Sequence, residues 1–288
     1  MPELPEVEIL KGELRREVVG RRVKEVAVFE KTEGQLPVAQ LREAVESRAI
    51  VGVRRRGKLL VLDFEGVHSL IIHLVMVGQL LLSPPFTGQP RDVCLELKFT
   101  DGARLTLGQV RLKYVHLLPT AEVDSWPPVV KLGVDPLDES FTVDLLRRLL
   151  AKKRGALKAT LMDQAAIAGL GNVYADEILF RARLHPQRRA SGLSEEEVEQ
   201  LHASIVAELQ RGLELGGSSE MAFLHLDGSE GSYQESFQVK GRKGKPCFVC
   251  AMPIERIEVG GRGTYFCPRC QASCQSSSSS NSSQSPSS

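Results

Sequence analysis

The sequence predicts an α+β protein. A leading helix and an antiparallel sandwich or barrel come first, a helical part follows, and a small cysteine-rich segment stands near the C-terminus. Three observations carry this. Short apolar runs separated by turn signals fill residues 23–118. Past a proline-punctuated stretch at 119–136, the apolar spacing changes to three and four. Five of the six cysteines fall in the last 42 residues. A chain of 288 residues that is 42% hydrophobic and 25% charged has material for about two domains and a sizeable core, which excludes global disorder and a fibrous fold.

The elements follow in order. Residues 5–18 read as a helix, because Val7, Leu10, Leu14 and Val18 share one face. Pro5 marks its start and Gly20 follows its end. Strands are expected at 23–29, 49–54, 59–64, 69–74, 93–99 and 104–107, with turn signals such as Glu65-Gly66 and Asp101-Gly102 between them. Helices are expected at 142–151, 155–163, 172–183 and 194–215, the last opened by a capping box of Ser194 and Glu197. Residues 216–236 read as a long polar loop. Residues 273–288 are nearly all Ser with Gln, Asn and Pro, cannot bury apolar surface, and are expected to be disordered.

Charge is nearly balanced, at 37 basic against 36 acidic residues and a net of +1. Its distribution is uneven. Residues 151–189 carry eight Lys/Arg against three Asp/Glu, and residues 240–274 carry seven against two. Two local basic fields suit a polyanion footprint, or else two solvated faces. The longest apolar stretch, 70–82, is broken by His73 and Gln79 and falls short of the roughly 20 residues a membrane span needs. The acidic, proline-bearing start lacks the basic and apolar regions of a signal peptide, so a cytoplasmic protein with no membrane partner is expected.

Cys247-x2-Cys250 and Cys267-x2-Cys270, sixteen residues apart, have the spacing of a four-thiolate zinc site. Four protein thiolates leave no open position for water, so one structural Zn2+ is expected. Lys240, Arg242, Lys243, Lys245 and Arg262 surround it and can grip phosphates. Cys94 lies in a strand pattern and reads as an inert core thiol; Cys274 is left out of the metal site.

Proline at position 2 usually permits removal of Met1 and would then present a secondary amine. An α-amino group titrates near pH 7.7–8, so about a tenth is neutral at pH 7, far more than of an ordinary lysine. A neutral amine can attack a sugar C1′ and form an iminium, a charged electron sink. Glu3 and Glu6 stand beside it as proton donors or acceptors. Alone, such a proline is more often just a stiff helix entry.

Taken together, the motifs resemble the formamidopyrimidine-DNA glycosylase and endonuclease VIII family. They are Pro2-Glu3-Leu4-Pro5-Glu6-Val7-Glu8, Arg56-Gly57-Lys58, Leu161-Met162-Asp163-Gln164, Gly169-Leu170-Gly171-Asn172-Val173-Tyr174-Ala175-Asp176-Glu177, His185-Pro186, and Gly241-Arg242-Lys243-Gly244 leading through Pro246-Cys247 into the cysteine segment. The resemblance covers about residues 2–271. It implies a catalytic β-sandwich with flanking helices at 1–133, a helix–two-turn–helix DNA-binding domain at 134–236, a zinc finger at 237–271 and a Ser-rich tail at 272–288.

It also implies a base excision repair glycosylase with AP lyase (β,δ-elimination) activity on oxidised purines, formamidopyrimidines and 8-oxoguanine, in double-stranded DNA. Pro2 would be the nucleophile, Glu3 the acid/base group on the opening deoxyribose, and Glu6 a supporting carboxylate. Lys58 would meet the phosphate by the lesion, and Lys158 matches a further catalytic-site lysine. Asn172, Arg262 and His73 would hold the backbone, and Met76 would fill the space left by a base flipped out of the duplex. Two departures are visible. Val75 and Val77 replace the Gly and Ser/Thr of the family's His-Leu-Gly-Met-Ser/Thr-Gly. Leu107-Gly108-Gln109-Val110-Arg111-Leu112-Lys113 stands where the family has Asp-Pro-Arg-Arg-Phe-Gly, with Arg111 and Leu112 as substitutes for the inserted arginine and phenylalanine after a one-residue shift. Met221 stands about where many relatives carry a lysine in the lesion-capping loop. The departures leave open the same chemistry on oxidised pyrimidines or abasic sites. A damaged-DNA-binding protein that does not cut is another alternative, and an N-terminal-proline tautomerase a remote one. A monomer is the default expectation.

Overall fold

A computed structural model describes residues 1–29, 37–88 and 91–272. The Ser-rich tail and Cys274 lie outside the described residues. The chain begins with helix α1 (Leu4–Glu17) and strand β1 (Val23–Val28), followed by α2 (Val38–Val45). Seven further strands come next: β2 (Ile50–Arg56), β3 (Leu59–Phe64), β4 (His68–His73), β5 (Gln79–Ser83), β6 (Val93–Phe99), β7 (Arg104–Gly108) and β8 (Val115–Pro119). They form two four-stranded antiparallel sheets, in the orders β1-β6-β7-β5 and β2-β3-β4-β8. This is a sandwich, which closes the alternative of a barrel. Leu60, Leu62 and Leu70 of one sheet and Leu82, Leu97 and Leu105 of the other fill its interior, with Val7, Leu10 and Leu14 of α1 packed on the same core.

Within residues 1–119 the strands that sequence spacing misses are β5 and β8, and the helix it misses is α2. In β5, Leu80 and Leu82 face the sandwich core, yet Leu81 between them is buried as well. A strand covered on both faces loses its alternation. The same holds for β3 and β4, where Val61 and Ile71 point away from the sandwich and pack with Val123 and Trp126.

The second half holds α3 (Pro127–Val130), α4 (Val143–Ala151), α5 (Leu157–Leu161), α6 (Asn172–Arg181) and α7 (Glu195–Glu214). Thr142 caps α4, and Ser194 with Glu197 forms the expected capping box on α7. Their core gathers Leu146, Leu161, Ile178, Leu201 and Leu209, and it also takes in Leu4 from the first turn of α1. The helix expected at 155–163 shortens to α5. Among the described residues no helix is long and apolar enough to cross a membrane.

The cysteine segment forms a hairpin of β9 (Glu255–Val259) and β10 (Arg262–Phe266), turned by Gly260 and Gly261, both at positive φ. It is fastened to α6. The carboxylate of Glu177 accepts from the amides of Gln238, Val239 and Lys240 at 2.8, 3.0 and 2.8 Å. Burial raises the Glu177 pKa to about 7 against those three donors.

Candidate active site and nucleic-acid interface

The amino-terminal residues lie at the joint between the sandwich and the helices. Pro2, Glu3 and Glu6 are all buried. The Glu3 amide donates to Glu6 Oε2 at 2.7 Å, which closes the first turn of α1. The Glu3 carboxylate reaches the far end of the fold. It accepts from the amides of Val173 at 2.9 Å and Tyr174 at 3.3 Å, the unpaired N–H groups that open α6. Two glycines admit this approach. Leu4 N donates to Gly169 O at 3.0 Å, and a Cβ on Gly169 would fall 2.5 Å from Leu4 Cδ1. A Cβ on Gly171 would fall 2.3 Å from Glu3 Cδ.

Glu6 accepts from the Tyr174 hydroxyl at 2.8 Å and from the Ser218 amide at 2.9 Å. Burial, with Glu3 beside it, pushes the Glu6 carboxyl above its ordinary range. The Tyr174 ring stacks on Tyr233 with centroids 4.7 Å apart. The N-terminal ammonium of Met1 sits against these groups. Burial lowers its pKa and Lys58 adds to this, while Glu3 and Glu6 oppose.

Lys58 stands at the tip of the β2–β3 hairpin, whose Arg56↔Leu59 pairing leaves Gly57 and Lys58 as a two-residue turn. Gly57 has φ +54° and faces Leu132 and Ala168 of the helical half, which an added Cβ would meet at 3.4 and 3.5 Å. The turn therefore presses Lys58 into the joint, where only 9% of it is exposed. Among the described residues no hydrogen bond reaches its ammonium. Burial pushes the Lys58 pKa down; Glu3 and Glu6 oppose, and Arg262 acts with burial. Next to Lys58 the adjoining arginines are engaged: Arg54 with Asp63, half-buried Arg55 with Glu8 and Asp135, and Arg56 with Asp124.

Arg262 is exposed at the end of the zinc-hairpin turn. The pKa of His73, on β4 opposite Leu59, is lowered by burial and then by Lys58 and His116. Asn172 is the first residue of α6. Its Oδ1 accepts from Lys158 Nζ at 2.6 Å. Lys158 is fully buried and also meets Asp176 at 2.7 Å, Thr264 Oγ1 at 2.9 Å and Gly263 O at 3.2 Å. Its ammonium is thus enclosed, and it ties α5, α6 and the zinc hairpin together. Met76 and Arg111, both exposed, line a separate open cleft of about 740 Å³ with Tyr114, Asp92 and Gln109.

The four sulfurs of Cys247, Cys250, Cys267 and Cys270 lie within 4.8 Å of one another. Cys247–Cys270 and Cys250–Cys267 are 3.9 and 3.4 Å apart. A tetrahedron with Zn–S bonds of about 2.3 Å has edges of about 3.8 Å, so the set fits one structural zinc. Amides of Val249 and Cys270 donate to Cys247 and Cys267 sulfurs at 3.4 Å, as thiolate ligands require.

Residues 1–113 match the formamidopyrimidine-DNA glycosylase N-terminal domain, 132–223 its H2TH domain, and 244–272 the zinc finger found in FPG and IleRS. The formamidopyrimidine-DNA glycosylase of Cytobacillus firmus is 39% identical over 94% of this chain and 100% of its own. The chain belongs to the formamidopyrimidine-DNA glycosylase family. Solved glycosylases agree with this. The MutM (Fpg) protein of Thermus thermophilus superposes with a TM-score of 0.82 at 37% identity, over 94% of this chain and 98% of that one. Lactococcus lactis Fpg bound to abasic-site DNA gives 0.85 at 35% identity, over 94% and 100%.

Within this glycosylase family the hairpin departure has a structural consequence. Val75, where the family carries glycine, has φ +37°, a region that a β-branched residue rarely enters. Gln109, in the altered loop, has φ +54°. Site residues not singled out from the sequence are Tyr174, Ser218, Gly169 and Gly171. Tyr174 and the glycines lie inside a recognised motif. Ser218 acts through its backbone amide, which leaves no side-chain signal.

Proposed function

We propose that this glycosylase excises oxidised purines from duplex DNA and then cuts the abasic strand by β- and δ-elimination, with the Pro2 amine as nucleophile. The observation that carries the reading is that Glu3 and Glu6, next to Pro2, are held on the start of α6, with Lys58 close enough to feel the charges of Glu3, Glu6 and Arg262. Removal of Met1 would place the Pro2 amine in a pocket that already lowers an amine's pKa. The Pro2 nitrogen bonds to C1′ as the glycosidic bond breaks, and the base leaves with a proton. Glu3 protonates O4′ as the sugar ring opens. The resulting iminium makes the C2′ proton acidic, and loss of that proton expels the 3′ phosphate; the unsaturated iminium then makes the C4′ proton acidic, and loss of that second proton expels the 5′ phosphate. Lys58, Asn172, Arg262 and His73 bind the phosphates around the flipped nucleotide. Met76 and Arg111 enter the duplex. Lys158, with its ammonium enclosed, acts by holding Asn172 and the zinc hairpin in place. The enzyme works in the cytoplasm.

The altered Gln109–Arg111 loop and the strained Val75 favour a second feature, a lesion range shifted toward oxidised pyrimidines or bare abasic sites. Borohydride trapping tests both. Duplexes carrying 8-oxoguanine opposite each base, ring-opened guanine, an oxidised pyrimidine or an abasic site are incubated with the Met1-processed protein and with Pro2→Gly. A trapped band that depends on Pro2 supports the mechanism, and the ranking of duplexes gives the lesion range. If damaged DNA is retained but no duplex traps, the protein is a damage-binding module and not an enzyme.

A further inference from the structure

Three loops meet at one side chain. Gln79 opens β5, directly after the turn that carries Met76. That turn is tight: Gly78 N donates to Leu74 O at 2.9 Å, and a Cβ on Gly78 would fall 2.3 Å from the same oxygen. Gln79 pairs across the sheet with Gly108, the last residue before the loop that presents Arg111. The side-chain amide of Gln79 is engaged at both ends. Its Oε1 accepts from Gln109 Nε2 at 2.7 Å, and its Nε2 donates to Ala222 O at 3.0 Å.

Ala222 belongs to a different region. It follows Met221, which with Glu220 lines the small pocket of Met1, Glu3, Glu6 and Tyr174. The segment is pinned on either side of Ala222. Ser218 N donates to Glu6 Oε1 at 2.9 Å, and Leu226 N donates to Glu13 Oε2 at 3.0 Å. Between those pins Ala222 sits at φ +73°, held by Gln79. A continuous polar link therefore runs from the loop of Arg111, through Gln109 and Gln79, to the segment that covers the catalytic carboxylates.

We infer that Gln79 is a positioning residue that makes acceptance of the damaged base depend on the base opposite it. The inference rests on the glycosylase reading above. When the Gln109–Arg111 loop takes up a particular opposite base, Gln109 shifts the Gln79 amide, and Gln79 shifts the carbonyl of Ala222 over the pocket. Only an amide of this length can do both tasks. A carboxylate at position 79 would still accept from Gln109 but would face the Ala222 carbonyl without a proton.

The test is single-turnover excision of 8-oxoguanine opposite each of the four bases, by wild type, Gln79→Ala, Gln109→Ala and the double variant. Each single substitution is expected to narrow the opposite-base discrimination by about two- to tenfold, the range of one neutral hydrogen bond. The double variant should lose no more than the singles, because the link is one object. Hydrogen exchange of amides 220–223 should quicken in Gln109→Ala, although Gln109 does not touch that segment. Gln79→Glu should behave as Gln79→Ala does. Unchanged discrimination, losses that multiply, or unaltered exchange in Gln109→Ala overturns the inference. If Gln79→Ala does not fold, the Gln109→Ala exchange decides. Wild-type protein that traps no duplex refutes the glycosylase reading itself; normal trapping with indistinguishable variants refutes only the link.

Discussion

Gly171→Ala isolates the placement of Glu3. Gly171 has φ −138° and ψ −159°, extended backbone that alanine adopts freely, so the substitution adds no backbone strain. Its effect on the unfolded chain is mildly stabilising, by about 0.4–1 kcal/mol. What it adds is a methyl carbon 2.3 Å from Glu3 Cδ and 2.4 Å from Oε1. Carbon atoms settle at about 3.5 Å or more, so the carboxylate must retreat by about 1.2 Å. That retreat breaks its bonds to the Val173 and Tyr174 amides, each charge-assisted and worth about 1.5–3 kcal/mol. A misplacement of about 1 Å at a reacting group costs about 100-fold in rate. Single-turnover cleavage of an abasic duplex should therefore fall by about two orders of magnitude. Gly155→Ala, where an added Cβ meets nothing within 4 Å, should cleave like wild type. If Gly171→Ala cleaves within about threefold of wild type while folded, Glu3 does not need its seat on α6, and the placement argument fails.

Tyr174→Phe removes one of the donors on buried Glu6 and should cost about 1–3 kcal/mol in a denaturant melt. Because that bond lowers an already raised carboxyl, its loss raises Glu6 further, and the acid limb of the excision profile should move to higher pH. Chelating the zinc, or Cys267→Ser, should free the β9–β10 hairpin and with it Arg262. Metal analysis and DNA titration should then show loss of the ion together with weakened, less salt-sensitive binding. His225 meets Glu13 at 2.5 Å, and this hydrogen bond raises the His225 pKa above its ordinary value. A raised folded pKa contributes stability in full below the unfolded value of about 6.5 and loses it as pH rises through the folded value. Melting temperatures of wild type and His225→Gln should accordingly converge at alkaline pH and separate toward pH 6.

The legible parts of the fold were those with one wet face or a marked boundary. β6 alternates, α7 carries a capping box, and the paired Cys-x2-Cys turns declare their ligand geometry by spacing alone. β5 and β8 gave no clean signal, because long-range packing covers residues that alternation would leave wet. At the site, Glu3 and Glu6 were legible as neighbours of Pro2. What holds them was not, since Val173, Tyr174 and Ser218 lie about 170 to 212 residues away along the chain. The trace of that contact is Gly169-Leu170-Gly171: spacing shows where side chains are withheld, while only the fold shows what fills the room. Lys158 illustrates the reverse case. The resemblance marks it as a catalytic-site lysine, yet its surroundings of Asn172, Asp176 and Thr264 give it a holding task.

One helix explains why the amine stands where it does. Leu4, in the first turn of α1, belongs to the core of the helical half, whereas Val7, Leu10 and Leu14 belong to the core of the sandwich. At about 25 cal/mol per Å², each of these leucines supplies about 1.5–3 kcal/mol of burial, so the helix is held from both sides at once. Its start cannot shift toward either core without uncovering the other. Pro5 stiffens the entry, the Glu3–Glu6 turn closes it, and the N-terminus is left at the one place where the β2–β3 hairpin, the start of α6 and the residue 218–222 segment all arrive. An attacking amine on a flexible arm would have to be ordered at each encounter. Here folding has already ordered the terminus, ordinarily the loosest part of a chain, and this is what the proposed role of Pro2 as nucleophile requires.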